Sequence, residues 1–151
     1  MDSAMSRRRS RQVEEVALGL PQRVSALTRL FFARARVSRT EVGLLAALAM
    51  RPHRITELSA REGVSQPAVT QIVNRLQERG WAVRGTDPGD GRAVLVELTD
   101  AGRLELEGVR AEYRALLREE MAALDDEEVA TLAAAVEILD RLVARLGDRA
   151  P

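Results

Sequence analysis

Apolar side chains recur every three or four positions over most of this chain, a spacing that predicts amphipathic helices. The longest stripe lies between Gln12 and Arg36, where Gly19 and Pro21 interrupt it and predict either a kink or two helices. Further helical stripes are found in residues 38–51, 55–64, 65–80, 99–121 and 125–147. The pattern is therefore that of a mainly helical protein.

Capping sequences mark the ends of the shorter helices. Ser38 and Glu41 have the spacing of a capping box in front of the second stripe. The next helix is predicted to take Thr56 as its cap and to end at Gly63. His53 lies beside a proline in the stop between these two helices, where we expect it to be solvated rather than to bind a metal.

The segment from Ser65 to Gly80 has two contrasting faces. Ser65 is suited to cap a helix that ends before Gly80, and a Gly63–Val64 turn joins it to the preceding helix as a helix-turn-helix. The apolar face consists of Val69, Ile72, Val73 and Leu76. The opposite face is polar, short-chained and uncharged, and it consists of Pro67, Thr70, Gln71 and Asn74. Such side chains can contact base edges in a DNA major groove, although a plain amphipathic surface helix would carry the same apolar stripe.

A β-hairpin is predicted directly after this helix. Residues 81–84 and 93–98 form its strands, and residues 85–92 between them are rich in Gly, Asp and Pro. A hairpin in this place is a wing, and Arg92 at its tip suits the negative potential of a DNA minor groove. Asp90 either holds that guanidinium or is a plain turn residue. Trp81 is expected to lie in the core under the helices.

Composition excludes several classes of site. There are no cysteines and one histidine, so the sequence predicts no disulfide framework, no metal centre and no cofactor. The hairpin loop lacks the ligand spacing of a calcium loop, and a nucleotide-phosphate loop needs a lysine, which this chain does not contain. No nucleophile–base arrangement is present either, so we do not expect an enzyme.

Charge is balanced overall but unevenly distributed, with 23 basic and 23 acidic residues. Residues 1–39 hold nine Arg and three acidic residues, whereas residues 97–151 hold seven Arg and fourteen acidic residues. The acidic excess is therefore kept away from the predicted DNA-binding helix, but the basic footprint is weak for a DNA-binding protein. Without a membrane-length apolar run or a secretory signal, we expect a cytoplasmic protein.

The terminal helices carry more apolar surface than one small domain can bury. Heptad-like stripes on the last two helices indicate an interface between two copies of the chain.

The predicted fold class is mainly α (α+β), a winged helix-turn-helix with a two-stranded wing. The predicted organisation is a flexible basic N-terminus (1–11) that is either disordered or contacts phosphates, N-terminal dimerisation helices (12–37), the winged helix-turn-helix (38–99) and C-terminal dimerisation helices (100–147).

The chain resembles the MarR (multiple antibiotic resistance regulator) family of bacterial transcription factors over roughly residues 12–147. The segments that carry the resemblance are Ile55–Ser59, Val64–Ser65, Val69–Thr70, Leu76–Gly80, Arg84, Asp87–Arg92 and Leu98–Gly102. The resemblance implies a homodimer that binds double-stranded DNA as a repressor and releases it when a small aromatic or anionic ligand binds. It also implies a minor-groove role for Arg92. Gly91 replaces a second arginine that many members carry, which should weaken the contact between wing and DNA.

Four sets of candidate site residues follow. The major-groove set is Ser65, Gln66, Pro67, Thr70, Gln71 and Asn74, and the phosphate set is Arg75 and Arg84. The wing set is Asp90 and Arg92, and the ligand-pocket set is Phe31, Phe32, Trp81 and Tyr113, which are otherwise simply core aromatics. The competing hypothesis is a helical dimeric interaction or scaffold protein without specific DNA binding, which the zero net charge and Gly91 favour.

Overall fold

The computed structural model of the chain describes residues 2–33, 36–87 and 89–147, without side chains at positions 2–4, 87 and 90–93. The chain divides into two compact units, Met1–Val109 and Arg110–Pro151. The helices are α1 (Asp2–Ala33), α2 (Arg39–Met50), α3 (Ile55–Glu62), α4 (Gln66–Glu78), α5 (Asp100–Met121) and α6 (Asp126–Gly147). The strands are β1 (His53–Arg54), β2 (Ala82–Asp87) and β3 (Asp90–Leu98).

The N-terminal helix is longer and more regular than the sequence predicted. Residues 2–11, expected to be flexible, lie in α1, where the Arg11 Nε and Glu15 Oε1 atoms form an i,i+4 ion pair at 3.2 Å. Of the two alternatives predicted for this segment, a kink or two helices, the second is wrong, because α1 continues through Pro21. A proline inside a helix removes one backbone hydrogen bond, and many turns on either side of Pro21 remain to hold this helix together.

Local capping chemistry sets the start of α2 and α3. Ser38 and Glu41 form the predicted capping box, in which the Ser38 amide donates to Glu41 Oε2 at 2.8 Å. The cap of α3 was predicted wrongly: the N-cap is Arg54 and not Thr56, and the Arg54 amide donates to Glu57 Oε2 at 2.8 Å. Gly63 closes α3 in the left-handed conformation, with φ of 65°, which favours glycine.

The fourth helix begins and ends as predicted. The Ser65 hydroxyl accepts a hydrogen bond from the Ala68 amide at 3.4 Å, and a proline lies in the first turn. After the helix, Gly80 adopts a φ of 73° and the Trp81 amide donates to the Leu76 carbonyl at 2.8 Å. The chain therefore turns back sharply and begins β2 alongside the last turns of α4.

The sheet has one strand more than predicted. Its order is β1-β3-β2 and all neighbours are antiparallel, with His53 opposite Val96 and Arg84 also opposite Val96. Strand β1 is two residues long and shows no alternating pattern, which is why the sequence did not indicate it. His53 lies in this strand and is only 5% exposed, so its predicted solvation was wrong; its Nδ1 is 2.7 Å from the Arg51 carbonyl oxygen.

Among the described residues, one apolar core joins α2, α3, α4, the start of α5 and the sheet. Its buried members include Leu44, Leu45, Leu48, Leu58, Val69, Ile72, Val73, Leu76, Ala82, Val96 and Leu106. Trp81 is partly buried and packs against this core, in agreement with the sequence analysis. The core therefore holds the inner face of α4 and leaves its other face at the surface.

The start of α5 is fastened to the turn after α4. The Thr99 hydroxyl accepts a hydrogen bond from the Gly102 amide at 3.0 Å and donates to the Gly80 carbonyl at 2.6 Å, which confirms Thr99 as the predicted cap. A side chain at position 102 would collide with the Trp81 carbonyl oxygen and with Leu98 Cδ1. Glycine at this position therefore allows the helix to approach the hairpin closely.

The second unit contains the end of α5 and the whole of α6. Asp125 caps α6, with the Glu128 amide donating to Asp125 Oδ1 at 2.8 Å and the Asp125 amide donating to Glu128 Oε2 at 3.0 Å. No residue of α6 is buried, although the helix carries many apolar side chains. Among the described residues, no helix has an apolar stretch sufficient to cross a membrane.

Candidate DNA-binding surface

The outward face of α4 presents the predicted major-groove residues together. Gln66, Pro67, Gln71 and Asn74 are exposed, and Ser65 is exposed at the N-cap. Thr70 is half-buried, and its hydroxyl donates to the Gln66 carbonyl at 2.9 Å. This face carries hydrogen-bonding groups without charge, and it is presented by a helix whose opposite face is fixed in the core.

Arg84 contacts this face from the neighbouring strand. Its two terminal nitrogens donate to Gln77 Oε1 at 2.5 Å and to Asn74 Oδ1 at 2.8 Å. Arg84 was predicted to contact phosphate, and Gln77 was not among the predicted site residues. Because Gln77 lies one turn after Asn74, the helical spacing alone could have placed both amides on one side of α4. The structure thus joins a predicted phosphate ligand to a predicted base-reading residue.

The C-terminal end of α4 is held by a nearly buried carboxylate from α2. Glu41 Oε1 lies 3.4 Å from Arg75 Nε and 3.5 Å from a terminal nitrogen of Arg79. The Glu41 side chain is 7% exposed, whereas those of Arg75 and Arg79 are 46% and 40% exposed. The guanidinium of Arg79 also lies over the Trp81 ring, 4.9 Å from its centroid. Arg75, predicted to contact phosphate, is therefore also part of an ion pair inside the protein.

The environment of Glu41 keeps it ionised. Burial acts to raise its pKa, but the amide and hydroxyl of Ser38 and the cations of Arg79 and Arg75 together outweigh burial and lower it. The sequence identified Glu41 only as a capping residue. Its contact with α4 joins residues 34 positions apart, and nothing in the local sequence indicates such a contact.

The wing hairpin is longer than predicted. Strands β2 and β3 are paired from Ala82 opposite Leu98 to Asp87 opposite Asp90, with an irregularity between Thr86 and Asp87. Val96 is buried, but Val94 is 48% exposed, because the hairpin extends beyond the core. The side chains of Asp90 and Arg92 lie outside the described residues, so their wing role stays a prediction.

The four aromatic residues of the predicted ligand pocket occupy different surroundings. Phe31 and Phe32 lie near the end of α1, Trp81 packs against the core, and Tyr113 lies in the second unit. Phe32 lines an open pocket of about 510 Å³ together with Val24, Ser25, Thr28, Arg29 and Arg39. The ligand-binding role of the four aromatics stays a prediction.

Within the part of the chain that has described side chains, no cluster of three or more His, Asp or Glu residues is arranged to hold a metal ion. The chemistry that the α4 surface offers is hydrogen bonding by neutral amides and hydroxyls, bordered by guanidinium groups. These groups match the donors and acceptors of base edges and the charge of phosphates.

The chain is similar to known transcriptional regulators. A model of the MarR family matches residues 37–93, from the end of the first interhelical segment to the wing. An uncharacterised HTH-type transcriptional regulator of Mycobacterium bovis is 31% identical over 86 residues, which are 57% of this chain and 60% of that protein. The HTH-type transcriptional repressor MdtR of Bacillus subtilis is 29% identical over 76 residues, which are 50% of this chain and 49% of that protein. The chain thus spans about half to 60% of the length of these curated relatives.

Solved structures match over more of the chain. A Pseudomonas aeruginosa protein assigned as a transcriptional regulator is 30% identical with a TM-score of 0.74, and the match covers 87% of this chain and 96% of that chain. Wild-type MarR from E. coli in its apo form is 25% identical with a TM-score of 0.62, and the match covers 86% of this chain and 95% of that chain. The likeness therefore includes the terminal helices as well as the helix-turn-helix.

We predict that Glu41→Gln lowers the free energy of unfolding by about 1–2 kcal/mol at pH 7, because two guanidinium groups lose their buried anionic partner. The folded pKa of Glu41 is lowered, so its stabilisation is present above the unfolded pKa and is lost as the pH falls through the folded pKa. Urea unfolding of parent and variant at pH 7 and pH 3 measures the difference.

The matched control is Glu15→Gln, which removes the exposed Arg11–Glu15 pair and should leave stability unchanged. A difference between the parent and Glu41→Gln that is equally large at pH 7 and at pH 3 would contradict the role of the carboxylate charge.

Proposed function

This chain belongs to the MarR family, and we propose that it is a homodimeric, sequence-specific DNA-binding repressor of transcription. In this proposal each subunit inserts α4 into a major groove of double-stranded DNA. Two such helices occupy successive grooves and bind a pseudo-palindromic operator. The named repressor function of the relative MdtR supports repression as the direction of control.

The observation that carries the proposal is the division of α4 into two faces. Val69, Val73 and Leu76 are fully buried and Ile72 is 8% exposed, so the helix cannot rotate without exposing them. Gln66, Gln71 and Asn74 are consequently held at the surface. A preorganised row of neutral hydrogen-bonding side chains on a fixed helix is what direct readout of base edges requires.

The flanking arginines supply the positive charge in this proposal. Arg75, on α4, is about half-exposed, Arg84, beside α4 on β2, is exposed, and Arg92 belongs to the wing. Arg75 shares the Glu41 carboxylate with Arg79, so two cations meet one anion and a positive excess remains within this ion-pair cluster. We propose that this excess faces phosphate and that Arg92, next to Asp90, enters the minor groove.

The dimer is supported by apolar surface that a single chain leaves uncovered. On α6, a heptad-spaced stripe includes Val129, Val136 and Val143, which are 43%, 56% and 67% exposed. On α1, Val13, Val16 and Leu30 are 57%, 60% and 65% exposed. Apolar area of this extent on long helices is typical of subunit interfaces. We propose that a second copy of the chain covers it.

We predict that Gln71→Ala relaxes specificity at one position in each half-site. Losing one good base contact should cost about 1–3 kcal/mol in discrimination, because the wrong base is no longer penalised at that position. Competition binding with a panel of single-base operator variants measures the effect. Weakened binding by the same factor on every sequence would instead make Gln71 a phosphate contact.

We also predict that Val136→Glu converts the dimer to monomer and lowers operator affinity by at least tenfold, because a charge would be buried in the helical interface. The matched control is Ala134→Glu, which adds the same charge on the opposite side of α6, about 200° around the helix. Sedimentation velocity measures the oligomeric state of each variant, and a gel shift measures its operator affinity. A dimeric Val136→Glu variant with parental affinity would contradict the proposed interface.

A further inference from the structure

Arg84 lies where the chain turns back from α4 into the wing. The hydrogen bond from the Trp81 amide to the Leu76 carbonyl places β2 beside the last turns of the helix. Arg84, three residues further on, spans two amide side chains that lie one helical turn apart. These contacts connect the wing strand directly to the surface proposed to read bases.

The direction of both hydrogen bonds is fixed by chemistry. A guanidinium group has five N–H donors and no acceptor, so an amide that meets it must turn its carbonyl oxygen toward it. Asn74 and Gln77 therefore both present Oδ1 or Oε1 to Arg84. The amino group of the exposed Asn74 is then directed away from Arg84, where it can only donate a hydrogen bond.

We infer that Arg84 is a positioning residue that fixes Asn74 as a hydrogen-bond donor, so that each half-site favours guanine over cytosine opposite Asn74. The inference rests on the proposed function. In the major groove guanine presents two acceptors, N7 and O6, whereas cytosine presents only the N4 donor. With its oxygen held by the Arg84 cation, Asn74 can donate to an acceptor of guanine. It then has no acceptor to offer the N4 donor of cytosine.

A phosphate contact by Arg84 would behave differently. Amides are neutral, so the Asn74 and Gln77 contacts leave the charge of Arg84 available to the DNA backbone. A residue that acts only through phosphate changes affinity on all sequences alike and changes the salt dependence by about one unit of slope. A residue that acts through Asn74 changes the preference at one base position.

The experiment selects half-sites from a randomised double-stranded library with the full-length protein and its variants, and counts guanine against cytosine at each position. We expect Arg84→Met to lower the guanine-to-cytosine ratio about tenfold at one position per half-site, because the freed amide can also turn its oxygen to cytosine. In an Asn74→Ala background the same change should alter no base preference. Thermal unfolding checks that each variant is folded.

Two further variants keep the result decisive. Arg103→Met is the matched control, since that exposed guanidinium donates to the Ala49 carbonyl of α2 at 3.4 Å, and it should leave all base preferences unchanged. Asn74→Asp keeps an oxygen for Arg84 but removes the amide donor, so it should abolish the guanine preference even if Arg84→Met does not fold.

Two outcomes would overturn the inference in distinguishable ways. If the parent protein selects a consensus but Arg84→Met lowers affinity uniformly with unchanged base preferences, Arg84 is a phosphate contact and only the positioning role falls. If the parent protein selects no consensus at all, the proposed DNA-binding function falls and takes the role of Arg84 with it.

Discussion

The arrangement of the candidate DNA-binding surface depends on the burial of one apolar stripe of α4. Val69, Ile72, Val73 and Leu76 pack against a core that α2 and α3 provide through Leu44, Leu45, Leu48 and Leu58. Each fully buried aliphatic side chain of this size contributes about 1.5–3 kcal/mol. A rotation of α4 by half a turn would forfeit several such contributions and replace them with buried amides. The core thus determines which side chains of the helix are available for recognition.

Polar contacts then restrict the exposed side chains of the same helix. Glu41 joins the start of α2 to the end of α4, and Arg84 joins β2 to the last turns of α4. Both contacts place a charged group beside α4, and neither lies in the apolar core. Packing sets the orientation of the helix, and these charged contacts set the orientation of particular side chains on it.

Features that depend on neighbouring residues, such as helix caps, could be predicted from the sequence. Contacts that depend on residues distant in the chain could not. Ser65 and Thr99 were identified as caps because capping is decided within three or four residues. Strand β1 was missed because His53 and Arg54 become a strand only by pairing with Val96 and Leu95 on β3. The partners of Arg75 and Arg84 were missed for the same reason, since sequence shows an exposed arginine but not the carboxylate or amide that meets it. Thr56 was predicted as the cap from its side-chain type, whereas α3 is capped at Arg54 through the backbone amide that donates to Glu57.

The most direct measurement is to sequence the genomic DNA fragments that the full-length protein retains at physiological salt. Two copies of α4 joined by the terminal helices should enrich an inverted repeat whose half-site centres are about one DNA turn, or a whole multiple of it, apart. Retention of fragments that share no repeat, or that share one unpaired half-site, would contradict a symmetric dimer that reads DNA through α4.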